Sequence, residues 1–224
     1  MAELSLFEYL DTQLSRLSEI VGTDSVLARK LLADLLGSTG SRSLSEPPAW
    51  PSVVSDDHSP VEYSIALNEG GRPTLRVLSE TLGEPPSPAA NLLAGYAFLR
   101  AQAARFGLVM SYFDRVRDVF DTENPQGGFG LGQSLVFRSG EQPEFKVYFN
   151  PEIKGIEQAP GLVAEALDRL GLSESYQIAL AHSVRPGELG RADRLTYFAL
   201  DLHDGSHARV KLYLTHYDAR PTDL

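Results

Sequence analysis

Apolar residues recur at helical spacing between Leu4 and Gly37: Leu6, Tyr9, Leu10, Leu14 and Leu17, then Val26, Leu27, Leu31, Leu32 and Leu35. This spacing predicts two helices on one buried face. A Ser/Gly/Pro loop, GSTGSRSLSEPPAWP, follows from Gly37 to Pro51 and carries the only tryptophan, Trp50. Beyond it the period changes from helical to two, and alternating segments come in pairs around polar turns. The first predicted hairpin joins Val61–Leu67 to Thr74–Ser79 through Asn68, Glu69, Gly70 and Gly71. The second joins Gly132–Arg138 to Glu144–Phe149 around Ser139 and Gly140, and the third joins Leu195–Leu202 to His207–Leu214 around Asp204 and Gly205. Helical sequence fills Pro88–Phe120 and Gly161–Leu170 between them. Hairpins alternating with helices predict an α+β fold: an antiparallel β-barrel of αββα repeats with its helices outside. The expected organisation is a single domain over 1–224, with N-terminal helices in 1–50 and hairpins near 61–79, 132–149 and 195–214.

Alternation also sorts the chemistry. In ARVKLYL, Arg209, Lys211 and Tyr213 share one face, opposite Ala208, Val210, Leu212 and Leu214. In FKVYF, Lys146 and Tyr148 oppose Phe145, Val147 and Phe149, and in LRVLS Arg76 stands between Leu75 and Val77. Two of only four lysines thus occur as Lys-x-Tyr on the second strand of a hairpin. Arg76, Lys146 and Lys211 are 70 and 65 positions apart, a repeat-like spacing. One strand with charges on one face is ordinarily just half solvated. Three in repeat register point instead to converging Arg, Lys and Tyr donors, which suit a multiply charged phosphate. On the preceding strand Glu62 shares a face with Ser64 and Ala66, small neighbours that leave room for a ligand.

Composition narrows the chemistry. A net charge of -10 and the lack of a Lys/Arg run disfavour nucleic acid. No window approaches the ~18 uncharged apolar residues of a membrane span, and the N-terminus is acidic where a signal peptide is basic, so a cytoplasmic protein is expected. The absence of cysteine removes disulfides, thiolate metal sites and Cys nucleophiles. There is no Walker-type loop, and GGFGLGQS (127–134) leads into a strand instead of opening a helix. No DDxxD cluster is present, since Asp56-Asp57 runs into His58-Ser59-Pro60, and the five histidines have no metal-ligand spacing. Side-chain cations without metal or other cofactor are therefore expected to neutralise the phosphate.

VVSDDHSPVEYS (53–64), LRVLSE around Arg76, FKVYFNP around Lys146 and ARVKLYL around Lys211, in this order and spacing, resemble the dimethylallyltryptophan synthase family of aromatic prenyltransferases, in a bacterial form. The resemblance implies a barrel in which dimethylallyl diphosphate ionises and an indole or other electron-rich ring attacks the cation, without metal. By position Glu62 matches the glutamate that accepts the indole N–H. Val53 and Val54 match a segment whose backbone holds the amino-acid part of the acceptor. Arg76, Lys146, Arg209 and Lys211 match diphosphate ligands, and Tyr148 and Tyr213 match tyrosines that screen the allylic cation. Where the family often offers a lysine as proton acceptor, the nearest basic residue here is Arg138.

The family barrel uses five hairpins, whereas three are predicted here and ten residues follow Leu214. Six strands leave unpaired edges and a lumen open to water. The expectation is an N-terminal portion of a longer enzyme, or a chain that needs the missing C-terminal repeats or another chain to close, with little activity alone. A different class, a non-catalytic barrel binding an anionic or aromatic small molecule, needs the same pocket, but a pure anion binder gains nothing from Glu62. A metal-dependent hydrolase would need clustered ligands that the sequence does not offer.

Overall fold

The computed structural model describes residues 3–67, 69–205 and 208–220. Ser5 starts α1 (Leu6–Val21) with a capping box: its hydroxyl accepts the Glu8 N–H, and the Glu8 carboxylate accepts the Ser5 N–H. Gly22, at φ 74°, ends the helix in the left-handed conformation that glycine adopts without strain. Asp24 caps α2 (Ser25–Leu36). The two helices bury Leu6, Leu10, Leu14, Leu31, Leu32 and Leu35, as their spacing predicts, whereas Val26 of the same pattern, in the first turn of α2, is exposed.

The strands are β1 (Val61–Ala66), β2 (Thr74–Glu80), β3 (Leu131–Phe137), β4 (Glu144–Phe149), β5 (Asp193–Asp201) and β6 (Val210–His216). They form one antiparallel sheet in sequence order, so all three predicted hairpins are present and each pairs with the next. Strand boundaries lie within three residues of those the alternation predicts, and β4 has the same bounds in both. Asn68 of the first turn and His207 at the start of the last predicted strand lie outside the described residues.

One sheet face packs on helices. Leu75, Val77, Leu135, Phe145, Val147 and Phe198 are buried there. Phe149 stacks on Phe120 at 4.7 Å between ring centroids and on Phe113 at 5.6 Å. Buried aromatics of this kind supply much of the hydrophobic driving force. Helix α3 (Pro88–Phe106) sits so close to β3 that a Cβ on Gly95 would lie 2.5 Å from Gln133 Nε2.

The helix predicted over Pro88–Phe120 is not continuous. Gly107, at φ 64°, stops α3, and a separate α4 (Ser111–Val116) follows before a single 3-10 turn. A left-handed residue cannot continue a right-handed helix. Helix α5 (Ala159–Arg169) matches the predicted segment, while α6 (Ser173–Ser183) was not legible, because only Tyr176 of its residues is buried and it carries no apolar stripe.

The start of β5 is pinned by charge. Asp193 accepts the Arg185 N–H at 2.7 Å and Arg185 Nε at 2.8 Å, and His216 Nδ1 lies 2.9 Å away. His216 is half-buried against this carboxylate. Burial pushes the Asp193 carboxyl up, but the Arg185 and His216 interactions override it and leave the pKa at about 2. A depressed carboxylate stabilises the fold fully above its unfolded value of about 3.9 and loses that contribution as pH falls toward 2. Asp193→Asn is therefore expected to cost about 2 kcal/mol at neutral pH in urea denaturation, with the gap to the parent closing between about pH 4 and pH 2. A pH-independent gap would contradict this origin.

Candidate active site

The second sheet face carries the chemistry, and register places it. Cross-strand partners align Glu62, Leu78, Ser134, Lys146 and Asp201 in one row. A neighbouring row runs Ser64, Arg76, Val136, Glu144, and another runs Glu80, Gly132, Tyr148, Ala199, Lys211. Residues joined in these rows point to the same side of the sheet. Arg76, Lys146 and Lys211 therefore converge on one face, as their spacing predicts.

Their charges are close enough to act on one another. The Lys211 ammonium is pushed below its ordinary pKa, first by burial and then by the neighbouring Lys146 and Arg209 cations, with Arg76 adding a smaller push. Arg76 and Lys211 make no hydrogen bond or ion pair with another described residue. An anion placed among these four cations would relieve their mutual repulsion.

Alternation did not single out Asp201, which holds two of the four. Its carboxylate lies 3.0 Å from Lys146 Nζ and 3.2 Å from Arg209 Nε, and also accepts the Arg209 N–H. The side chains of Lys146 and Asp201 are 9% and 3% exposed, so this ion pair is buried. Burial raises the Asp201 carboxyl, but the bonds from Lys146 and Arg209 outweigh it and hold it below the usual range. The signal was present in the sequence: Tyr197, Ala199 and Asp201 alternate with Phe198 and Leu200.

Tyr197 was also missed. Its ring meets Tyr148 edge-on at 6.3 Å and Tyr213 at 5.6 Å, and stacks on Phe129 at 5.2 Å. Tyr148 and Tyr213 lie 6.1 Å apart, so the two predicted tyrosines belong to a cluster of three. Burial, followed by Tyr213, raises the Tyr148 phenol, which keeps it neutral. Neutral phenols present electron-rich faces that attract cations.

Glu62 is exposed and makes no hydrogen bond or ion pair with another described residue, which leaves its carboxylate available to a ligand. Val53 and Val54 lie in the loop before β1. Val53 is exposed and touches Gly128 so closely that a Cβ there would lie 2.9 Å from Val53 Cγ1. Arg138 is tied to Glu144 at 2.6 Å, and a guanidinium stays protonated, so it is no proton acceptor.

As expected of six strands with unpaired edges, the described residues do not enclose the lumen. β1 and β6 are the two ends of the sheet, and Glu62, Arg76, Arg209 and Tyr213 are exposed on the open face. A groove of about 760 Å³ lies along β5 and β6, lined by Leu195, Leu212, Leu214, Tyr176 and Leu180, and it reaches Asp201 and Arg209. Among the described residues no group of three or more metal-ligating side chains is arranged to hold an ion, and no helix is long and apolar enough to cross a membrane.

The model of the family described as tryptophan dimethylallyltransferase matches residues 26–223. Among solved structures, 6-dimethylallyltryptophan synthase from Micromonospora olivasterospora, in complex with DMASPP and Trp, is 63% identical at TM-score 0.93 and is covered to 62% by 98% of this chain. The 5-dimethylallyltryptophan synthase from Streptomyces coelicolor, also in complex with DMASPP and Trp, is 33% identical at TM-score 0.83, with 96% of this chain covering 58% of that one. AnaPT from Neosartorya fischeri, 18% identical, shares the fold at TM-score 0.67 over 92% of this chain and 58% of its own. This chain thus spans a little under two thirds of the length of the enzymes it matches, and six consecutive strands with outer helices correspond to part of their barrel. With most of its length inside the family model and 63% identity to a solved member, the chain belongs to the tryptophan dimethylallyltransferase family.

Proposed function

We propose that this chain supplies the donor site and the indole contact of a cytoplasmic aromatic prenyltransferase that transfers a dimethylallyl group from dimethylallyl diphosphate to tryptophan or a related indole. The observation that carries this is one sheet face holding four convergent cations, a cluster of three tyrosines and a free carboxylate at Glu62. We read residues 1–224 as one prenyltransferase-barrel domain, completed by further repeats or another chain, because water would otherwise quench an allylic cation.

In this reading Arg76, Lys146, Arg209 and Lys211 bind the diphosphate. As the carbon–oxygen bond breaks, charge grows on the leaving group, and fixed cations stabilise that state more than the ground state. Tyr148, Tyr213 and Tyr197 face the allylic cation, each contributing about 0.5–2 kcal/mol of cation–π attraction. The backbone of Val53 and Val54 holds the amino-acid end of the acceptor, and Glu62 accepts its indole N–H. The ring carbon then bonds to the cation, the ring proton departs to a base, and diphosphate is released. Neutralisation by side chains makes a metal unnecessary. A non-catalytic binder of anions would be better served without Glu62 on the same face.

The test is incubation with dimethylallyl diphosphate and L-tryptophan in EDTA, read by mass spectrometry for one added C5 unit. In parallel, calorimetric titration of the 224-residue chain with inorganic diphosphate reads the donor site without needing a closed barrel. Expected are a chelator-insensitive product from the completed barrel and diphosphate binding that is lost in Lys211→Met. Absence of both would overturn the reading.

A further inference from the structure

Glu80 ends β2 as a carboxylate only 2% exposed, with no Lys, Arg or His forming an ion pair with it among the described residues. Its partners are neutral donors from separate segments. Oε2 accepts Trp50 Nε1 at 3.0 Å and the Ser52 hydroxyl at 2.9 Å, while Oε1 accepts Asn91 Nδ2 at 3.4 Å. Asn91 in turn accepts the Gly83 N–H at 2.8 Å. A buried carboxylate without a counter-ion is costly, and burial raises the Glu80 pKa despite these bonds. A glutamine would be the cheaper core residue. A carboxylate accepts on both oxygens, whereas a glutamine would turn an amide N–H2 toward one of these donors.

Position gives the anchor its meaning. Leu78 pairs with Glu62, and Glu80 lies two residues further along β2, on the same sheet face and beside Gly132. Its two partners on the other side, Trp50 and Ser52, lie in the segment leading into Val53 and Val54, and Ser52 Oγ accepts the Val54 N–H at 3.4 Å. Glu80 therefore ties the loop to the strand that pairs with β1.

We propose that Glu80 is a positioning residue for the acceptor, fixing the Val53–Val54 backbone relative to Glu62 so that an aromatic amino acid held at its backbone end presents its ring nitrogen to Glu62. This rests on the acceptor contacts assigned under the proposed function. The anchor itself can be read separately, because Trp50 is the only tryptophan in the chain.

The experiment compares Glu80→Ala, Glu80→Gln and Ser52→Ala with the parent chain. Acrylamide quenching of Trp50 fluorescence is expected to rise about twofold in Glu80→Ala as the loop opens locally. It should rise least in Glu80→Gln, whose amide oxygen still accepts from Trp50. Calorimetry should show L-tryptophan affinity about tenfold weaker in Glu80→Ala, with Glu80→Gln and Ser52→Ala intermediate, and inorganic diphosphate affinity within about twofold of the parent throughout. Ser52→Ala leaves the sheet untouched and keeps the test decisive if Glu80→Ala fails to fold. Unchanged Trp50 quenching would overturn the anchor. Parallel loss of tryptophan and diphosphate affinity would reduce Glu80 to a general stability role and overturn the positioning claim. Parent chain that binds diphosphate but not tryptophan would overturn the acceptor assignment and the positioning claim together, while quenching would still decide whether Glu80 holds the loop.

Discussion

Glu62→Gln is expected to lower prenylation of tryptophan by a factor of about 10² or more while leaving inorganic diphosphate affinity within about twofold. The substitution preserves shape and hydrogen-bond acceptance but removes a charge. An indole attacking an allylic cation becomes positively charged, so its N–H bonds more strongly to a carboxylate in the transition state than in the ground state. The loss should therefore fall mainly on kcat, with a smaller change in KM for tryptophan. Diphosphate affinity is largely spared because Leu78 and Ser134 separate Glu62 from Lys146 in the same row, and of the four cations only Arg76, diagonal to Glu62 across the β1–β2 pair, lies on a neighbouring strand. Three strand spacings put them about 14 Å apart along the sheet, a span for the donor tail and the aromatic ring. Steady-state kinetics of the completed enzyme and calorimetry of the chain check the two halves. Equal loss of turnover and diphosphate affinity would place Glu62 in the donor site or in the fold, not at the acceptor.

Asp201→Ala is expected to destabilise the chain by about 3–5 kcal/mol in urea denaturation, since it leaves the buried Lys146 ammonium without its counter-ion. Asp201 also accepts from Arg209 and stands among cations that repel one another. The same substitution makes a prediction that a packing defect would not. Inorganic diphosphate can replace the missing negative charge, so it should stabilise Asp201→Ala more than the parent. At a hundredfold excess over Kd, ligand binding adds about 2.7 kcal/mol, and that contribution should be reached at lower diphosphate concentration in the variant. Melting curves against diphosphate concentration measure the difference. Equal stabilisation of both proteins would show that Asp201 does not compete with the anion for Lys146 and Arg209.

These two residues also separate what was legible in the chain from what was not. Glu62 stands out in a strand whose alternation can be read locally, beside Ser64 and Ala66 on its face. Asp201 and Lys146 are distant in sequence, and their ion pair exists only because β4 and β5 pair in one register. Glu80 falls just beyond the predicted strand, which ends at Ser79. Its role depends on Trp50, Ser52 and Asn91, which arrive from a loop and a helix.

The sequence by itself determined the three hairpins, the two N-terminal helices and the split of the second strands of the hairpins into an aliphatic and a cationic or phenolic face. Those features follow from periods of two and 3.6 residues, which are properties of the local backbone. Tertiary structure decided which cations share a carboxylate and that Tyr197 joins Tyr148 and Tyr213. Each of these depends on strand register or on contacts between segments far apart in the chain, and only the packed sheet brings those partners within bonding distance.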